Sequence, residues 1–230
     1  MYERSDPLIA ERAPWLYADR PGTRLARASL NRMLSVALAE AFRNLPTDEI
    51  MAHMAKLLAK DVEATGLENI PRQGPALVVA NHPTGIADGI ILNALLTRIR
   101  PDAYFYANGD ILRVLPQMDT FIASVEWRVD KRSIAKTRAT MEYTKSAVSE
   151  GRLGVIFPSG RLAKRRGLKL HERPWMASAA MIARKFDLPV IPINIRARNS
   201  WSFYLFDLLH PSLRDITLFH ETLTKHRQPF

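Results

Sequence analysis

The chain has 230 residues, 47% of them hydrophobic, and no cysteine. It can bury one large core, while disulfides, thiolate metal sites and cysteine nucleophiles are excluded. Its formal charge of +10 is local: residues 126–185 hold fifteen Lys/Arg against five Asp/Glu and the rest is balanced, which implies an anionic partner such as phosphate groups, a nucleic acid or an anionic membrane surface.

No stretch reaches the ~18 consecutive apolar residues of a spanning helix. The N-terminus, MYERSDPLIAERAP, lacks the apolar segment of a secretory signal. A soluble or peripheral protein is the expectation.

Residues 1–22, with Pro7, Pro14 and Pro21, read as an extended arm. Two helices are predicted next. Over 24–45, Leu30, Met33, Leu34, Ala37, Leu38, Ala41 and Phe42 recur at helical spacing. Thr47 is a candidate N-cap for the second, with Asp48 and Glu49 in its first turn and Ile50, Met54, Leu57 and Leu58 on one face. The pair either packs on the main domain or, with Arg24, Arg27 and Arg32 flanking the apolar stripe, lies on a membrane surface.

From about residue 64 the pattern changes. Strands are predicted at ALVVAN (76–81), AYFYA (103–107), TFIASVEW (120–127), LGVIFP (153–158) and LPVIPINI (188–195). Helices are predicted at 88–99, at 132–151 ending on Gly151, and at 175–186, while LFDLLHPSLRDITLF stays undecided. Alternating strands and helices define an α/β class with a mixed, largely parallel sheet flanked by helices and preceded by an N-terminal helical pair. The expected division is an arm and amphipathic pair over 1–63 and an α/β domain over 64–230.

The stretch NHPTGIADG (81–89) falls at a strand end, where open α/β sheets bind ligands. His82 there can act as a general base, and Asp88 can fix its tautomer and stabilise the imidazolium. A substrate that brings its own hydroxyl needs no protein nucleophile. On spacing alone, a helix-capping Asp88 beside an ordinary loop histidine is the commoner arrangement. No third ligand stands at a useful spacing, so no metal site is expected.

In GVIFPSGRLAKRR (154–166) a strand ends on a turn, Ser159-Gly160, followed by Arg161, Lys164, Arg165 and Arg166. Free backbone amides beside cations suit a phosphate, although such a segment is often only a solvated basic loop. Ser159 is not a nucleophile elbow, because that motif needs glycine where Phe157 stands. Walker A and dinucleotide fingerprints are missing.

In order, NHPTGIAD, WRVDKR, FPSGRLAK and LPVIPINI resemble the motifs of the glycerolipid acyltransferases of the lysophosphatidic acid acyltransferase type, over residues 64–200. Five residues rather than four separate His82 from Asp88. Ser159 replaces that family's glutamate, and Arg161 and Leu162 replace its threonine and arginine. These features are closest to the hemolysin-like, ornithine-lipid-type bacterial branch. That family continues past RQPF, so a C-terminal truncation is expected.

The resemblance implies a transferase of lipid and phospholipid metabolism. It would move a fatty acyl group from acyl-CoA or acyl carrier protein to the hydroxyl of lysophosphatidic acid or a lyso-ornithine lipid. His82 would be the base and Asp88 its orienting partner. Lys131 or Arg132, with Ser159, Gly160, Arg161 and Lys164, would bind anionic substrate groups. No cofactor beyond the thioester donor is expected. The implied setting is cytoplasmic, peripheral on the inner face of an anionic membrane, with no nucleic acid. The alternative is a non-catalytic basic protein that binds membranes or nucleic acid, although no nucleic-acid module is recognisable.

Overall fold

A computed structural model describes residues 10–11, 42–59, 62–126, 131–167 and 169–209. Of the expected extended arm only Ala10 and Glu11 are described, and both are helical; the rest of the arm, most of the 24–45 helix and residues 127–130 and 210–230 lie outside the described residues.

β1 (Ala76–Ala80), β2 (Tyr104–Asn108), β3 (Ile122–Val125), β4 (Leu153–Ile156) and β7 (Val190–Ile193) form one sheet in the order β3-β2-β4-β1-β7. All four pairings are parallel. β1 is buried along its whole length, which is why it reads as an unbroken apolar run rather than an alternating one. Its side chains still alternate: Ala76, Val78 and Ala80 enter one layer, Leu77 and Val79 the other.

The first layer is covered by α1 (Thr47–Leu58) through Ile50, Met51, Met54 and Leu58, and by α2 (Ile86–Leu96) through Ile90, Ile91, Leu92 and Leu96. A short helix α3 (Asp110–Val114) and a 3-10 turn, Pro116–Thr120, lead into β3. On the opposite layer lie α4 (Ile134–Ser149) and α5 (Ser178–Lys185), with Ala147, Ala179 and Ile182 buried against Tyr104 and Tyr106. Gly154 is dictated by that packing, since a Cβ there would stand 2.8 Å from the Tyr104 hydroxyl.

Two local expectations are corrected. Thr47 does not cap α1: it is the first helical residue, and its hydroxyl donates to the Gln117 carbonyl at 2.8 Å. α2 begins at Ile86, two residues before Asp88. Phe42, at the end of the 24–45 apolar stripe, is buried in the α1–α2 layer.

Two elements have no counterpart in the sequence reading. β5 (Lys164–Arg166) and β6 (Lys169–His171) form an antiparallel hairpin separate from the main sheet. The undecided apolar stretch begins earlier than expected, as α6 (Trp201–Leu209).

Candidate active site

β1 and β4 are neighbours, and their connections leave to opposite faces, through α2 and α5 respectively. Such a divergence opens a crevice beyond the carboxyl ends of the strands. His82 follows β1 there, and Phe157–Gly160 follows β4. The His82 ring stacks on Phe157 with centroids 4.3 Å apart.

Nδ1 of His82 stands 3.0 Å from Oδ2 of Asp88. The histidine side chain is 19% exposed and the aspartate 0%. The approach is at ion-pair distance but off the ring's N–H direction, so buried Nδ1 makes no linear hydrogen bond. With Nδ1 turned to the carboxylate, Nε2 is the nitrogen left for a substrate.

The Asp88 carboxylate is held by three donors. Backbone N–H groups of Thr84 and Gly85 each donate to Oδ2 at 2.9 Å, and the Thr84 hydroxyl donates to Oδ1 at 2.5 Å. Gly85 is the N-cap of α2 at φ 94°, a backbone region glycine reaches without strain. Asp88 therefore does cap the helix. The same oxygen that caps it also faces His82, so the two readings of this spacing describe one arrangement.

Other segments lock the loop. Asn81 exchanges two hydrogen bonds with the backbone of Ile195, at 2.8 and 2.6 Å, tying the end of β1 to the chain beyond β7. The His82 N–H donates to both oxygens of Glu172 at 3.2 Å, and its carbonyl accepts from Ala163 N–H at 2.9 Å. Asn199, buried, donates from Nδ2 to the Thr84 carbonyl at 3.4 Å. Glu172, Asn81, Asn199 and Thr84 were not foreseen.

The anion-binding candidates divide. Ser159 is buried and its hydroxyl donates to the Arg161 carbonyl at 2.9 Å. Gly160 N–H donates to Phe157 O at 2.9 Å and Ala163 N–H is taken by His82. Those two amides are therefore not free for a phosphate, as the sequence reading had supposed. Arg161 and Lys164 are exposed. The hairpin presents Lys164, Arg165, Arg166 and Lys169 with no acid among them.

Lys131 is ion-paired with Glu11, which also binds Arg113 at 3.1 Å. Arg132 donates from Nε to the Glu126 carbonyl at 3.1 Å. Its Nη2 lies 3.4 Å from the Met176 sulfur, and the Met176 N–H donates to Pro158 O at 3.0 Å, beside the Ser159 turn. Among the described residues no group of acids and histidines has the makings of a metal site.

The described residues thus form an α/β domain with a His/Asp pair at the end of β1 beside a basic turn. Residues 61–196 match the Acyltransferase family model, and the chain belongs to that family. It is 26% identical over 171 residues to a lyso-glycine lipid O-acyltransferase of Phocaeicola vulgatus, covering 74% of this chain and 59% of that protein. The corresponding protein of Bacteroides thetaiotaomicron is 25% identical over the same length, 61% of its own chain. A Mycobacterium tuberculosis protein of unassigned function is 30% identical over 68% of this chain and 41% of its own. The chain thus spans about three-fifths of the curated lyso-glycine lipid relatives it matches.

Proposed function

We propose that the protein is a lysolipid O-acyltransferase. It moves a fatty acyl group from a thioester, acyl-CoA or acyl carrier protein, to the free hydroxyl of a lysolipid. The observation that carries this reading is the His82–Asp88 contact at the β1 end, where a buried carboxylate supports a partly exposed imidazole. His82 takes the proton of the acceptor hydroxyl through Nε2, and the oxygen attacks the thioester carbonyl. The tetrahedral adduct collapses, the C–S bond breaks, and the imidazolium returns its proton to the leaving thiolate. Asp88 stabilises the imidazolium between those two transfers. Positioned acid–base catalysis of this kind is worth roughly 100- to 10,000-fold.

The curated relatives named for lyso-glycine lipid favour a lyso-aminolipid acceptor over lysophosphatidic acid. Arg132, Arg161 and Lys164 attract anionic groups of acceptor or donor at the Ser159–Gly160 turn. The enzyme works from the inner, cytoplasmic face of a bacterial membrane, a reading supported by the basic segment, which suits anionic headgroups.

The test is lipid mass spectrometry after expression of the wild-type chain and of His82→Ala, followed by acyl-CoA assays on purified protein with lyso-glycine lipid, lyso-ornithine lipid and lysophosphatidic acid. Acylated product that depends on His82 supports the reading. Salt-sensitive DNA binding with no thioester cleavage would replace it with a non-catalytic basic protein.

A further inference from the structure

α6 is amphipathic in an unexpected sense. Phe203 is buried, yet Trp201, Leu205 and Leu208, at i, i+4 and i+7, are 71%, 39% and 82% exposed. They form a single stripe along the helix. A lone exposed leucine would need no explanation, but a tryptophan and two leucines on one face do.

The surroundings indicate what the stripe meets. The Arg165 guanidinium of the basic hairpin lies 5.4 Å over the ring of Tyr204, on the flank of that stripe. Arg196, on the strand exit leading into α6, is also exposed. Apolar side chains led by a tryptophan and flanked by Arg165 match the boundary between acyl chains and anionic headgroups, where the indole sits at headgroup depth and cations attract the lipid charge.

The helix also has a direct connection to the site. The Tyr204 hydroxyl accepts the Asn199 N–H at 3.2 Å, and Asn199 holds the carbonyl of Thr84, the residue that anchors Asp88. A bilayer seated on α6 is therefore two residues removed from the loop that carries His82.

We infer that α6 is a membrane-docking helix that inserts Trp201, Leu205 and Leu208 into an anionic bilayer surface while Arg165 and the rest of the hairpin engage the headgroups. This rests on the lysolipid reading for its purpose but not for its measurement.

The experiment is flotation of the full chain with vesicles of phosphatidylcholine, with and without phosphatidylglycerol, at low and high salt. Wild type should float with the anionic vesicles and keep a salt-resistant fraction. The double variant Trp201→Ser/Leu208→Ser should lose that fraction, with partitioning reduced by about tenfold or more. Arg165→Gln should weaken binding only at low salt, by a few-fold. Leu208→Trp, which keeps the face apolar, should float like wild type, and its added emission should be quenched by brominated acyl chains.

Undiminished flotation of the double variant, or unquenched emission from Leu208→Trp, would overturn the assignment. So would a dimer, present without vesicles, that the double variant dissolves, because the stripe would then face a second copy. Flotation through α6 with no acyl transfer to any lysolipid would support the docking helix and remove the enzymatic reading. Acyl transfer with undiminished flotation of the double variant would do the reverse.

Discussion

The backbone N–H of His82 donates to both carboxylate oxygens of Glu172, 90 residues away. Because Ala163 grips the carbonyl of the same residue, the peptide of the candidate base is held from the hairpin side. Its ring faces Asp88 on the α2 side, with Nδ1 3.0 Å from Oδ2. Glu172→Gln keeps one acceptor oxygen and should leave kcat within a few-fold of wild type. Glu172→Ala removes a charge-assisted bond of about 1.5–3 kcal/mol and should lower kcat more strongly, by roughly tenfold or more. Steady-state kinetics of the two variants decide it. A rise in KM alone would mean that Glu172 contacts substrate rather than the loop.

His82→Ala and Asp88→Asn should fail differently. His82 is a partly exposed loop residue, so its alanine variant should melt near wild type and lose roughly 100- to 10,000-fold in rate. Asp88 is buried and accepts three hydrogen bonds. An asparagine must turn an NH2 group toward one set of donors, costing about 1–3 kcal/mol of stability as well as rate. Thermal melts beside acyl-transfer assays separate the two. An Asp88→Asn protein with wild-type stability and activity would leave the carboxylate without a role.

Much of the fold was legible because burial leaves a local signature. ALVVA is apolar at every position because both faces of β1 are covered, and Gly151 ends α4 at φ 74°. Other elements carried no such signature. The hairpin RLAKRRGLKLHE alternates cations with little apolar content, so nothing marked it as paired strands. α6 was obscured because its apolar residues serve both the interior and the surface. His82 and Asp88 were visible because one turn of chain brings them together. Glu172 and Asn199 reach the same loop across 90 and 115 residues, a separation at which a single sequence offers no pattern to follow.

At the opposite end of the strands, Arg100 is buried and donates to the carbonyls of Pro71, Gly74 and Gly151 as well as to Asp102, 2.5 Å away. The hydrogen bond from Arg100 holds the Asp102 carboxyl below its ordinary range. A depressed carboxylate contributes stability above the unfolded value, about 3.9, and loses it as pH falls through the lower folded value. Asp102→Asn should therefore melt below wild type at neutral pH, and the gap should close as pH drops below about 4. A gap independent of pH in melts across that range would refute the assignment.

The basic segment offers two adjacent cations in the region of the resemblance, and the geometry separates them. Lys131 is ion-paired with Glu11, which also holds Arg113. Arg132 donates from Nε to the Glu126 carbonyl and reaches Met176 through Nη2; the Met176 N–H is fixed to Pro158 at the head of the Ser159 turn, and a guanidinium beside the turn suits an anionic group. Arg132→Ala should raise KM for the anionic substrate by about 1.5–3 kcal/mol, or roughly ten- to a hundredfold. Arg132→Lys should recover only part of that, since an ammonium lacks the planar donors of the guanidinium. Lys131→Ala should shift KM by no more than a few-fold and lower the melting temperature slightly, as expected for an exposed ion pair. The check is KM for donor and acceptor varied separately in all three variants. A large effect confined to Lys131→Ala would reverse the assignment, and equal KM values throughout would move the anion contact to the hairpin.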